Sequence, residues 1–373
     1  RALNQPLDLP HLTRVEAPRT IPIDLKNGPP DTRERHPVEP PPHFEALLRG
    51  RPHSEATPTT PRICGNCSVG HATASLRATE NALQVEVSEQ TKLLRKLLFH
   101  GEMLDSHVLH VYMLVAPDFF GAGSVLPLAA SHPEVVMRAL SIKKLAGDLC
   151  AIIAGRHTHP IAMTVGGFNH LPTIKELLAM RERLVAARDD MDETIALGKT
   201  LPWPQFERET EYVSLQKDDE YAFIDGRIAT TDGFAYELSD YRKVTNEYLV
   251  PHSTAKWTKH NRDTYMVGAL ARFNNNYEQL HPRAKAAAEE LGMKPIVANS
   301  FLTSAAQAIE MVHCVEDSIR IIDELVVRGV EEEPLYQFQG NGGEGVGSCD
   351  VPRGILFHNY IIDDDGLIQG ANC

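Results

Sequence analysis

The sequence predicts a predominantly helical α+β chain, one large domain with long central helices and short peripheral sheets. Three observations predict it. Apolar residues recur at helical spacing over long stretches, around 87–115, 133–154, 173–197 and 300–327. Strand-like pieces are short and bounded by turn signals. No internal repeat and no linker divides residues 1–373, so they read as a single domain.

Composition narrows the function classes. Apolar residues make up 42% and charged residues 23%, ordinary for a globular protein. The net charge of −13 argues against nucleic acid as a partner, because phosphate binding wants a basic face. No run is apolar and long enough to span a bilayer, and no signal-peptide pattern shows. A cytoplasmic location is expected. Six cysteines in so long a chain do not suggest a disulfide scaffold.

The elements follow in order. Residues 1–40 are proline-rich and read as an extended arm with one strand, Ile21 to Leu25, ended by the turn signal Asn27-Gly28. Pro42 to Gly50 reads as a short helix ending at its glycine. Ser54 to Pro61 reads as a polar loop. It delivers the chain to Cys64-Gly65-Asn66-Cys67, with His71 four residues on. Behind this pair runs Ala72 to Leu83, rich in helix formers, so Cys67 falls near a helix start. The helix dipole and Arg62 would both favour thiolate there, the donor that soft transition metals prefer.

By spacing alone, a lone C-x-x-C suits either half of a zinc site or a redox-active pair. The long helix over 87–115 carries Ser106-His107-Val108-Leu109-His110-Val111-Tyr112, with two histidines three apart on one face. Pro133 to Ala154 is helical and contains Cys150. Gly155 to Pro160 is a loop, and Thr173 to Leu197 is a helix stopped at Gly198. Residues 200–260 carry only short strand-like pieces, at Tyr221 to Ile224 and Tyr248 to Val250. Met266 to Asn274 leads into a helix, Pro282 to Leu291 is a helix closed by Gly292, and Ser300 to Val327 is a long one. The glycine run from Gly340 to Gly347 invites a phosphate-loop reading, but no Gly-Lys-Ser/Thr follows. Ile355 to Ile362 and Leu367 to Cys373 flank Asp364-Asp365-Gly366 as a hairpin.

The string Arg62-x-Cys64-Gly65-x-Cys67-x-x-x-His71, followed by a helix, closely resembles the N-terminal metal-binding motif of nickel–iron hydrogenase large subunits. The resemblance runs through nearly the whole chain and is strongest to the cytoplasmic, multisubunit branch. It implies that fold, shared with a metal-free quinone-site subunit of respiratory complex I. It implies metal ligation by Cys64 and Cys67, with His71 and Pro352 beside the cofactor. Glu16, in Arg14-Val15-Glu16-Ala17, stands where the family has Arg-Ile/Val-Glu-Gly and would relay protons. Glu45, nineteen positions before Cys64, would help hold a magnesium ion. Asp118, eleven residues after His107, would join the polar canopy over the metals. Arg353, in Asp350-Val351-Pro352-Arg353-Gly354 against the family's Glu-Ala-Pro-Arg-Gly, would overhang the open coordination position.

The implied protein is the catalytic subunit of a nickel–iron hydrogenase, which splits dihydrogen heterolytically and reversibly. The centre would be nickel and iron with carbonyl and cyanide on iron, and this chain would hold no iron–sulfur cluster. Electrons would leave through a small subunit carrying iron–sulfur clusters and further electron-transfer subunits. The family takes two more thiolates from a C-terminal Asp-Pro-Cys-x-x-Cys-x-x-His. The chain reaches Cys373 before any such motif, so the native protein is expected to continue. Three alternatives stand beside this reading: a metal-free scaffold like the complex I subunit, an inactive truncated relative, and a zinc-stabilised interaction protein using Cys64, Cys67 and His71.

Overall fold

Four long helices build the core, at the places where the spacing predicts them. The computed structural model describes the backbone of residues 7–9, 21–24, 31–32, 40–251 and 255–373, with side chains from residue 42 onward. The elements that position the site are α1 (Pro40–Leu48), α2 (Ser68–Leu83), α3 (Glu89–Val108), α4 (Pro133–Ala154), α5 (Ile174–Thr200), α6 (Ala269–Asn276), α7 (Pro282–Glu290) and α8 (Thr303–Arg328). Helix α3 packs against α4 and α8, and α5 closes over α8. Leu94, Leu97, Leu98 and Leu104 of α3 are fully buried at this junction, each worth about 1.5–3 kcal/mol of transfer from water. Among the described residues, no helix is long and apolar enough to cross a membrane.

Caps explain most boundaries. Ser88 accepts the Thr91 N–H and starts α3, and Thr173 with Glu176 forms a capping box at α5. Two boundaries differ from expectation. Helix α5 runs through Gly198 to Thr200, because one glycine costs less than the packing it preserves. The helix predicted to reach residue 115 changes at Val108 into a π-turn, Leu109–Val115. The expected loop over 54–61 is instead compact helical turns, Ala56–Thr59 and Thr60–Ile63.

The sheets are small, as predicted. Strand Ile21–Asp24 lies between Leu7–Leu9 and Asp31–Thr32. In 200–260, the strands fall at β1 (Glu211–Gln216), Arg227–Thr230 and Ala235–Tyr236, and not at 221–224 or 248–250. The third sheet is antiparallel, β2 (Gly343–Val351), β3 (Gly354–Ile362) and β4 (Ile368–Asn372), with the hairpin turn where Asp364-Asp365-Gly366 predicts it.

The glycine run is therefore a strand, and its alternation has a packing cause. Gly343, Gly345 and Gly347 share one face of β2, and that face lies on the backbone of α2 at Ala82, Ala78 and Ala74. A methyl group on any of the three would fall inside contact distance of α2 backbone atoms. Strand and helix run in opposite directions, so the end of β2 meets the start of α2. Gly345→Ala is expected to destabilise the fold by about 1–3 kcal/mol or more by overpacking. Gly123→Ala, which meets nothing within 4 Å, should change stability by less than about 0.5 kcal/mol. Equal chemical-denaturation midpoints for the two variants would refute the seam.

Candidate metal centre

Cys64 and Cys67 occupy a turn between two helical segments. Cys64 is extended (φ −148°, ψ 127°), and Cys67 is the residue that opens α2, without a side-chain bond to the helix end. Both thiols are partly buried. The free N–H groups of the first turn of α2 find a different acceptor. Glu102 of α3 takes the Val69 N–H at 2.5 Å and the Gly70 N–H at 2.9 Å, one on each carboxylate oxygen. Burial pushes the Glu102 carboxyl up to about 8, against the pull of those two bonds, and nearby Cys64 adds to the rise. The cysteine turn thus rests on a helix end whose cap comes from another element.

The seam between α2 and β2 brings the second half of the site to this turn. At its lower end Gly70 lies against the Val351 side chain, and the Cys349 thiol donates to the Gly70 carbonyl at 3.2 Å. Two residues past Val351 the Arg353 guanidinium donates to Ser106 Oγ at 2.8 Å. Ser106 stands one helical turn after Glu102 on α3. The structure therefore gathers the cysteine turn, Glu102, Ser106 and Arg353 along one helix.

Beneath the Pro352–Arg353 turn lies a buried charge network. Arg272 of α6 is fully buried and donates to both oxygens of Glu310, at 2.6 and 2.8 Å. It also donates to the carbonyls of Val351 at 2.7 Å and Pro352 at 3.3 Å, and pairs with Asp350 at 3.4 Å. Glu310 is further bonded by His107 at 2.6 Å and by Tyr221 at 2.7 Å. Burial alone would raise Glu310, but the Arg272 charge outweighs it and holds the carboxyl at about 2. Burial wins at Asp350, pushed up to about 7. Gly268, at φ +88°, lets α6 begin hard against this turn, since a Cβ there would stand 2.9 Å from the Arg353 carbonyl oxygen.

The other sequence candidates fall as follows. Asp118 lies exposed in the short helix Ala116–Phe119 beyond the π-turn. His71 is buried, and Nδ1 meets His358 Nε2 at 3.1 Å; burial lowers it to about 4. Cys64, Cys67 and His71 do not bring three donor atoms within 4.8 Å of one another. His107 and His110 bond to Glu310 and Gln307 of α8. Cys150 and Cys314 are buried in the core. Glu16 lies outside the described residues.

Among the described residues, the donors that do cluster are His100, His313 and Asp317. His313 Nδ1 accepts the His281 N–H, which leaves the ring proton on Nε2, and Arg320 already pairs with Asp317. His100 Nε2 and Asp317 Oδ2 stand 3.6 Å apart with no hydrogen-bond partner, and the set is a buried polar cluster within the core.

Glu45 of α1 lies against the end of β4. Its Oε1 accepts the Lys256 ammonium at 2.6 Å, the Cys373 N–H at 2.8 Å and the Asn372 amide at 3.3 Å. Two residues of weight have no role assigned in the sequence reading: Glu102, which lies in no motif, and Arg272, which lies in the family-like string Met266 to Asn274. Each is a charge inside an apolar helical run, Glu102 one turn after buried Leu98 and Arg272 between Ala271 and Phe273, and that is the signal that could have found them.

Known proteins resemble this chain in sequence and fold. A family described as nickel-dependent hydrogenase matches residues 43–134. The alpha chain of sulfhydrogenase 1 from Pyrococcus furiosus is 30% identical over 361 residues, covering 96% of this chain and 84% of that one. A chain of the vhu F420-non-reducing hydrogenase from Methanocaldococcus jannaschii is 29% identical, covering 97% of this chain and 92% of its own length. Among solved structures, an NAD+-reducing [NiFe]-hydrogenase in the H2-reduced state superposes with a TM-score of 0.87 at 28% identity, over 99% of this chain and 88% of that one. A [NiFeSe]-hydrogenase of Dm. baculatum, at TM-score 0.73 and 22% identity, shares the fold.

Proposed function

The chain belongs to the nickel-dependent hydrogenases, and from that premise we propose how its own residues serve the reversible cleavage of dihydrogen. It is the catalytic subunit of a nickel–iron hydrogenase, an oxidoreductase acting on H2. The observation that carries the residue assignment is the cysteine turn set by Glu102 and the seam against the Pro352–Arg353 turn. Two sulfur donors in one turn at a helix N-terminus fit soft metals, so Cys64 and Cys67 would hold the nickel–iron group. The group supplies, when bound, the redox and Lewis-acid chemistry that splits H2; carbonyl and cyanide complete its iron.

Around it, each residue has a defined task. Arg353 keeps a fixed cation beside the site, oriented by Ser106. Pro352 and Asp350 are tied to Arg272, which holds the turn in register. His71, kept neutral by burial, ties α2 to β3 through His358. Asp118 supplies a carboxylate on the exposed side, and Glu16 carries protons outward. Electrons pass to a small subunit with iron–sulfur clusters and on to further subunits, in the cytoplasm.

The test is an infrared spectrum of the protein purified anaerobically with its partners from its native source, together with its nickel content. Bands of iron-bound carbonyl and cyanide with stoichiometric nickel are the expected result. A blank spectrum without nickel would favour the metal-free scaffold. Glu16→Gln should keep nickel and the infrared bands yet lose hydrogen/deuterium exchange; unchanged exchange would take Glu16 off the proton path.

A further inference from the structure

The network beneath the Pro352–Arg353 turn sets two carboxyl groups against one cation. The side chains of Arg272, Glu310 and Asp350 are at most 1% exposed. Arg272 commits its fork to Glu310, at 2.6 and 2.8 Å, and to the carbonyls of Val351 and Pro352. Asp350 Oδ1 is left with one contact to it at 3.4 Å, beyond the roughly 2.7–2.9 Å of a charge-assisted bond. Its Oδ2 accepts a neutral donor, the Leu215 N–H of β1, at 2.5 Å. The other groups that face the pair bring no second cation. Tyr221 donates to Glu310 as a neutral phenol. His107 of α3 meets Glu310 through Nε2, and its Nδ1 is buried without a hydrogen-bond partner, so a second ring proton would have no acceptor. Arg77 of α2 is turned to the Ser348 carbonyl and paired with Asp225. Arg353 is bonded to Ser106, and Cys349 is a buried thiol.

Two ionised carboxylates beside one guanidinium would leave a negative charge uncompensated in a dry site, and such a site takes up a proton instead. We propose that Asp350 works as a carboxylic acid, a positioning residue whose proton keeps Arg272 on the Val351 and Pro352 carbonyls and so keeps Arg353 at Ser106. Burial pushes the Asp350 carboxyl up to about 7, the direction this charge count requires. Ionised, Asp350 would draw Arg272 Nη1 away from the Val351 carbonyl, because one nitrogen serves both. The turn would lose its tie and Arg353 its register. An unfolded aspartate ionises near about pH 4, so from there to about pH 7 the folded chain binds one proton more. The stability that depends on Asp350 therefore falls as pH rises through that window. The effect on turnover rests on the hydrogenase reading, whereas the proton on Asp350 does not.

The experiment compares wild type with Asp350→Asn, each as the full chain with its partners, across neutral pH. Infrared spectra of protein carrying isotope-labelled aspartate should show, on the acid side, a protonated-carboxyl band that moves with the label. The band should fade on the alkaline side and be missing from Asp350→Asn. For a group titrating at about 7, the protonated fraction drops about tenfold between about pH 6 and about pH 8. The asparagine amide stays neutral throughout, so the ratio of variant to wild-type H2 turnover should rise by about the same tenfold. A ratio that stays flat, or an acid-side spectrum without the labelled carboxyl band, would overturn the proposal. Should the variant fail to fold, the labelled wild type decides, because Asp350 is the aspartate raised furthest among the described residues. Missing nickel and missing iron-bound carbonyl bands would sink the hydrogenase reading, and the aspartate band would still be read by itself.

Discussion

Arg272→Met is expected to cost the fold about 3–5 kcal/mol, the usual penalty for stripping one partner from a buried ion network. The guanidinium is the cation that faces both Glu310 and Asp350, and all three side chains are almost wholly buried. Without it, Glu310 loses the charge that holds its carboxyl down and must take a proton or stay ionised in a dry site. Val351 and Pro352 lose their carbonyl partner at the same time, so Arg353 should lose its register. Urea denaturation of the assembled protein measures the first effect, and H2 oxidation well below the melting temperature measures the second. A double-mutant cycle with Glu310→Gln sharpens the test. The two changes should be less than additive by about 1–3 kcal/mol, because the second removes the charge that the first orphans. Additive losses, or a single variant within about 0.5 kcal/mol of wild type, would show that the network carries no such load.

Cys67→Ala is expected to abolish H2 turnover and nickel retention while leaving the metal-free fold nearly intact. The reason for the separation is local. The Cys67 side chain makes no bond to the end of α2, whose first N–H groups are served by Glu102. The cap of α2 is thus supplied by Glu102, and the thiol is the group proposed to hold the metal. Stability relative to metal-stripped wild type should change by about 1 kcal/mol or less, since the change removes one partly buried sulfur at a helix start capped by Glu102. Cys64→Ala should behave alike. Retained nickel with the carbonyl and cyanide infrared bands in either variant would refute the ligand assignment.

Much of this is legible in one dimension. Helical periodicity places the central helices because their burial is one-sided, and that leaves its mark every three to four residues. Cys64 and Cys67 are legible as candidates because both thiols sit in one turn. The partners are not. Glu102 lies 33 residues from Val69, and Arg272 lies 38 from Glu310 and 78 from Asp350. No local rule pairs charges at such separations; only the packing of α3, α6 and α8 does. Lys256 and Glu45, 211 residues apart, show the same limit. The glycine run invites a loop reading because glycine is a turn signal first. Its period of two is visible, but the surface it matches belongs to α2.

That seam also sets which mutations the gene can survive. Every single-base change that replaces a glycine codon's amino acid adds at least a Cβ, so Gly343, Gly345 and Gly347 can only err by excess. Inheritance at these three positions is a ratchet with one open setting. Compensation must come from the other wall, and there Ala74, Ala78 and Ala82 present backbone, which has no smaller substitute. A residue added on either wall would push the strand off α2 and carry Arg353 away from the cysteine turn.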